Sequence, residues 1–307
     1  MLYTKLGCTN VEVPRIVLGC MRLSELDERQ AADYIDAALE LGVTAFDHAD
    51  IYGGGACESL FARAARMTPT RRERMMLQSK CGICPAEQRY DNSCAYILAS
   101  TNGILKRLGT EYLDLLLLHR PDALTEPAEV AEAFTRLRKS GKVRHFGVSN
   151  HNPSQIRLLQ RALDMPIVAD QLQMSVTNAT MISRGLEVNT LLPGAIDRDD
   201  GVLDFCRLQN IAVQAWSPFQ YGTFEGPFLG NAKFHLLNTV IDQIAAEHGV
   251  TNSAIAVAWL LRHPARMQVI VGTTKAVRLR EICAACDVEL SRKDWYDIYR
   301  AAGNPIP

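Results

Sequence analysis

The chain has 307 residues, 48% apolar and 22% charged, with 33 basic against 34 acidic side chains and a formal net charge of −1. That composition belongs to an ordinary globular protein and offers no basic field for nucleic acid or an anionic membrane surface. Apolar runs such as Leu115–Leu118 and Ile255–Leu261 fall far short of the roughly 18 residues of a spanning helix.

Met1 to Asn10 lacks the basic and apolar regions of a secretory signal, which predicts a cytoplasmic protein. Nine cysteines, an odd number spread over a long chain, predict reduced thiols rather than a disulfide framework. Two Cys-x-x-Cys pairs, Cys81/Cys84 and Cys283/Cys286, lie about 200 residues apart, whereas a zinc ribbon needs its pairs within roughly 15–20. No metal site is predicted.

In chain order, residues 1–14 alternate loosely around Gly7 and Asn10 and read as a hairpin covering one end of the fold. Eight short apolar runs follow: Ile16–Leu18, Thr44–Phe46, Met75–Gln78, Leu113–Leu118, Val143–Val148, Val168–Gln171, Ala212–Ala215 and Val269–Val271. Helical stripes separate them; Ala31, Tyr34, Ile35, Ala38 and Leu39 form the first. Gly42 and Gly141 stand where helix ends expect a left-handed residue, and Asn152-Pro153 supplies a cap and a first-turn proline. The fourth run is almost continuously apolar, as a parallel strand covered on both faces must be.

Eight strand–helix units predict an α/β protein with a (β/α)8 TIM barrel, built as one domain over residues 1–307. The competing open doubly wound sheet lacks a G-x-G-x-x-G after its first strand. Ser291 to Pro307 reads as an extra C-terminal helix and tail, and Ser175 to Gly201 is longer than an ordinary connection.

Barrel chemistry sits at the carboxyl ends of the strands. Asp47 ends the second strand, with Tyr52 in its loop; Lys80 ends the third, His119-Arg120 the fourth, Ser149-Asn150 the fifth, Gln171 the sixth and Trp216-Ser217 the seventh. Neighbouring strands run about 4.8 Å apart, so Asp47, Lys80 and His119 can converge within roughly 10 Å. A phenol with a pKa of about 10 is a poor acid at neutrality, but an adjacent ammonium lowers it. Lys80 is the expected ammonium, Asp47 its anchor and His119 the group that orients a carbonyl oxygen or assists the proton transfer. The set predicts hydride addition at carbon with protonation at oxygen.

The stretches Gly42–Gly53, Leu117–Asp122 and Gly141–Asn150 resemble the aldo-keto reductase family, and the likeness runs in order from Gly19 to Arg280. The resemblance implies a metal-free barrel that binds NADP(H), with NAD(H) as the lesser alternative, and reduces a small-molecule carbonyl substrate. It places the catalytic tetrad on Asp47, Tyr52, Lys80 and His119, with Tyr52 as general acid. It further implies that Ser149, Asn150 and Gln171 hold the carboxamide, that Trp216 stacks on the nicotinamide, and that Gly19, Cys20, Met21, Ser217 and Pro218 line the cofactor. Thr273, Thr274, Lys275 and Arg278 match the 2′-phosphate site, where a helix N-terminus and two cations suit an anion. Gly272 stands where many members carry a lysine. Arg120 and Phe219 are expected to line the substrate pocket beside Tyr52 and His119. The alternatives are a cofactor-binding regulatory subunit with little turnover, and a hydrolytic barrel, which lacks the metal-ligand pairs it needs.

Overall fold

The computed structural model describes every residue from 1 to 307. Eight parallel strands close into a barrel: β1 (Ile16–Gly19), β2 (Ala45–Asp47), β3 (Met76–Cys81), β4 (Leu113–Leu118), β5 (Val143–Ser149), β6 (Ile167–Gln173), β7 (Ala212–Trp216) and β8 (Gln268–Val271). Each pairs with its neighbour in chain order, and β8 closes on β1 with Val269 opposite Ile16. Most strands run further at the carboxyl end than the apolar pattern suggests. The extra residues, among them Lys80, Ser149 and Trp216, are those that carry polar or aromatic groups to the rim.

The helices form where their local signals say they should. Asp27 and Gln30 cap the helix Glu28–Glu40 reciprocally, and its buried face contains Ala31, Tyr34, Ile35 and Ala38. Asn152 caps the helix Pro153–Gln160, which carries its proline in the first turn. Gly42 and Gly141 both adopt positive φ after their helices.

The hairpin pairs Tyr3–Lys5 with Glu12–Pro14. Leu6 and Val13 leave it to fill the barrel lumen beside Val17, Ala45, Leu115 and Val168. Arg15 secures this floor by donating to the carbonyls of Met267 at 3.0 Å and Leu261 at 2.8 Å. A larger core, containing Phe46, Phe134 and Trp259, separates the strands from the helices.

The C-terminal helix, Arg292–Ala301, caps itself through Ser291 and Asp294. Its Trp295 stacks on Trp259 with ring centres 4.8 Å apart, and each indole N–H donates to the other residue's backbone carbonyl, at 3.0 and 3.1 Å. The long connection after β6 is not an open loop. It contains the helix Thr180–Leu186, and Ser183 Oγ meets the Tyr299 hydroxyl at 2.7 Å, so it leans on the C-terminal helix. Ser175 links it to the rim by donating to the Gln220 carbonyl at 2.7 Å. No helix is long and apolar enough to cross a membrane.

Candidate active site

Strand register brings the rim residues together. Asp47 lies opposite Gln78, and Lys80 lies opposite Leu117, two residues before His119. The Lys80 ammonium is fully buried and donates to Asp47 Oδ2 at 2.8 Å, to the His48 carbonyl at 2.7 Å and to the Tyr52 hydroxyl at 3.1 Å. His119 sits edge-on to Tyr52, with ring centres 6.2 Å apart and planes at 82°.

Tyr52 is placed by a braced turn. Gly53, Gly54 and Gly55 all take positive φ, and a Cβ on Gly55 would stand 2.7 Å from Arg107 Cδ. Glycine there lets Arg107 pass and donate to the buried Glu58 at 2.7 Å. Glu58 also accepts from Ser79 at 2.8 Å, and Asp50 accepts from Ser100 at 2.6 Å.

The electrostatics favour a neutral phenol beside a charged amine. Burial works against the Lys80 ammonium, but Asp47 and Tyr52 together outweigh it and hold its pKa above the ordinary lysine value. Burial also pushes the Tyr52 hydroxyl up; Lys80 pulls it down, and Asp47 raises it again. The ammonium thus acts in the direction that the sequence suggests, but the net shift is upward. Tyr52 therefore keeps its proton throughout the neutral range. Burial, with Lys80 and Arg120, lowers His119 to about 2, so its imidazole is neutral, and its Nδ1 is enclosed with no partner.

On the opposite side, Asn150 takes a left-handed backbone with φ 59°. Its amide donates to Ser149 Oγ at 2.8 Å and its Oδ1 accepts from the Trp216 indole at 3.2 Å. Gln171 turns its Nε2 to Asp47 Oδ1 at 2.9 Å. Phe224 stacks on Trp216 at 5.8 Å, and the Arg120 guanidinium lies 5.9 Å from the same ring. Phe219, expected in the pocket, is half-buried and packs against the core between strands and helices, as Tyr52 itself does. Ser217 and Pro218 follow at the end of β7, with φ 53° at Ser217.

Gly19 ends β1 opposite Asp47, and Cys20 and Met21 follow it: the Cys20 N–H donates to the Asp47 carbonyl at 2.9 Å, while its thiol is buried and pushed well up by that burial. Met21 is exposed. Thr273 and Thr274 lead into the helix Ala276–Cys283; the Thr273 Oγ1 caps the Lys275 N–H at 3.2 Å. Lys275 and Arg278 are exposed and make no ion pair.

Residues 15–302 match the sequence profile of the aldo/keto reductase family. The chain belongs to this family. It is 36% identical to the uncharacterized oxidoreductase YcsN of Bacillus subtilis over 97% of each chain. It is 33% identical to a 6-dehydroglucose reductase of Agrobacterium fabrum over 95% of each. Among solved structures, a thermostable aldo-keto reductase in complex with the inhibitor epalrestat superposes with a TM-score of 0.77, at 28% identity over 98% of this chain and 100% of that one. As an aldo/keto reductase family member, the chain is an oxidoreductase with the TIM-barrel fold.

Three features of this reductase fold escape a linear reading. Arg22, in the loop after β1, donates from Nε to the carbonyl of Gly272 at 3.0 Å and joins the β1 and β8 ends of the rim. The Glu58–Arg107 brace joins residues 49 positions apart. Gln78, Gln214 and Gln268 stand in the lumen beneath Asp47, where they are fully or almost fully buried. Only the last left a signal in the sequence, as glutamines inside otherwise apolar strands.

Proposed function

We propose that the chain acts, as one barrel domain over residues 1–307, as an NADP(H)-dependent reductase of aldehydes or ketones, with Tyr52 as general acid. The observation that carries this reading is the Lys80 ammonium, held by Asp47 and standing 3.1 Å from the Tyr52 hydroxyl.

The residues present fit a nicotinamide dinucleotide. Gln171 Nε2 is committed to Asp47 and Gln214, which leaves its Oε1 free to accept from a carboxamide. Trp216, half-buried and steadied by Asn150, offers a flat apolar face. Lys275 and Arg278, unpaired at the N-terminal end of a helix, lack any protein anion that accounts for them. When bound, the reduced nicotinamide supplies the hydride.

The chain's own residues supply the rest. Tyr52 gives its hydroxyl proton to the carbonyl oxygen, where negative charge develops. Lys80 stabilises the phenolate left behind, and Asp47 keeps Lys80 charged and in place. The neutral His119 imidazole donates one N–H toward the substrate oxygen and so orients it. Turnover is the test. NADPH oxidation is followed with aldehydes, ketones and oxidised sugars, the last because one relative is a 6-dehydroglucose reductase. Tyr52→Phe should abolish it while cofactor still binds; turnover retained in that variant refutes the general-acid role.

A further inference from the structure

Beneath the tetrad, the barrel lumen holds a relay of side-chain amides. Gln78 Nε2 donates to Asp47 Oδ1 at 2.6 Å and to Gln214 Oε1 at 3.0 Å. Gln214 Nε2 returns a bond to Gln78 Oε1 at 2.9 Å and gives another to Gln268 Oε1 at 3.0 Å. Gln268 Nε2 then donates to the Pro14 carbonyl at 2.9 Å, on the hairpin that closes the floor. Gln171 Nε2 completes the set, with one bond to Asp47 Oδ1 and one to Gln214 Oε1 at 3.2 Å.

The orientation of these amides is dictated from above. A carboxylate only accepts, so Gln78 and Gln171 must present N–H groups to Asp47. That choice turns the Gln78 oxygen toward Gln214 and decides how Gln214 faces Gln268. Filling a lumen needs only apolar groups of the right size, as Leu6, Val13 and Val168 show below. Four buried amides are costly unless they find partners, and here every Nε2 group has an acceptor.

We propose that Gln78 and Gln214 are positioning residues for the reductase reaction: through an amide relay anchored at Pro14, they fix Asp47 so that its Oδ2 faces Lys80. The inference rests on the reading of Asp47, Lys80 and Tyr52 as the catalytic set. Gln78 holds one oxygen of the carboxylate and Lys80 binds the other, so rotation of Asp47 is blocked from both ends. Gln214 hydrogen-bonds to neither Asp47 nor Lys80 and acts only through Gln78 and Gln171.

The test is Gln78→Met with Gln214→Met, which keeps side-chain length and removes both partners at once, so that few buried groups are stranded. Asp47 raises the titration of both Lys80 and Tyr52. Loosening it should therefore move the alkaline limb of kcat/KM to lower pH, by roughly half to one unit. It should lower kcat about tenfold while the KM for cofactor holds. The same downward shift should appear in the ultraviolet titration of Tyr52, taken as the difference from a matching Tyr52→Phe protein. A wild-type pH profile and a wild-type tyrosine titration in the folded double variant overturn the proposal. If that variant does not fold, Gln78→Asn carries the amide on a stem one methylene shorter and makes the same test with the same two outcomes. The titration needs no substrate, so it decides the inference even if carbonyl reduction itself is not found.

Discussion

The Lys80 ammonium stands 3.1 Å from the Tyr52 hydroxyl and 2.8 Å from Asp47 Oδ2, with no water-accessible side. Replacing it with methionine keeps the stem but leaves the buried Asp47 carboxylate with only Gln78 and Gln171 as donors. Breaking a buried pair in this way costs about 3–5 kcal/mol. Lys80→Met should lower the urea midpoint accordingly and reduce turnover by about 10²–10⁴-fold, with cofactor affinity nearly unchanged. A rate close to wild type would exclude Lys80 from proton transfer.

Asp170 on β6 gives a second measurable effect. Its carboxyl faces the helix layer and is fully buried, and neither oxygen has a partner of good geometry. Burial raises its pKa to about 8, and the backbone N–H groups of His151 and Asn150 offset this only in part. The folded state therefore holds a proton that the unfolded chain gives up near pH 4. The stabilising contribution is complete below that pH and is lost as pH climbs through about 8. Asp170→Asn is neutral and nearly isosteric, so it should flatten the fall in melting temperature between about pH 5 and 8 and be the more stable form at the alkaline end. Parallel melting curves for both proteins across that range would show that Asp170 does not titrate as described.

The barrel was legible because each strand repeats one pattern and each helix carries its own caps, as Asp27 and Asn152 do. The rim was legible because Asp47, Lys80 and His119 fall where three consecutive apolar runs end. The amide relay was not, since Gln78 and Gln214 lie 136 residues apart and only barrel closure makes them neighbours. The direction of the Tyr52 shift was missed for a related reason: linear order identifies the ammonium that lowers it but not the burial that raises it further.

Lys275 and Arg278 bear on cofactor choice. Both are exposed at the start of the helix Ala276–Cys283, where the positive end of the backbone dipole disfavours cations unless an anion is present. If that anion is the 2′-phosphate, Lys275→Ala with Arg278→Ala should weaken NADPH by about 10–100-fold and NADH little, as read by quenching of Trp216 fluorescence. The NADPH loss should shrink as salt is raised. Equal losses for the two cofactors would refute a phosphate site here.

The brace under Tyr52 should respond to pH in a way that separates charge from shape. Glu58 is fully buried, whereas Arg107 is partly open to solvent. Removing the arginine is therefore the harsher change, because it strands a buried carboxylate with Ser79 as its one remaining donor. Burial already raises the Glu58 pKa, with Arg107 and Ser79 pulling it back. Without Arg107 the carboxyl takes up a proton more readily. Arg107→Ala should then cost little stability at acid pH and progressively more as pH rises through the raised Glu58 pKa. Adding Glu58→Gln, which keeps the bond from Ser79 without the charge, should restore stability at alkaline pH. It should not restore turnover, because the turn of Gly53 to Gly55 that aims Tyr52 still lacks the guanidinium packed against it. Recovery of both together would mean that the brace acts only through charge.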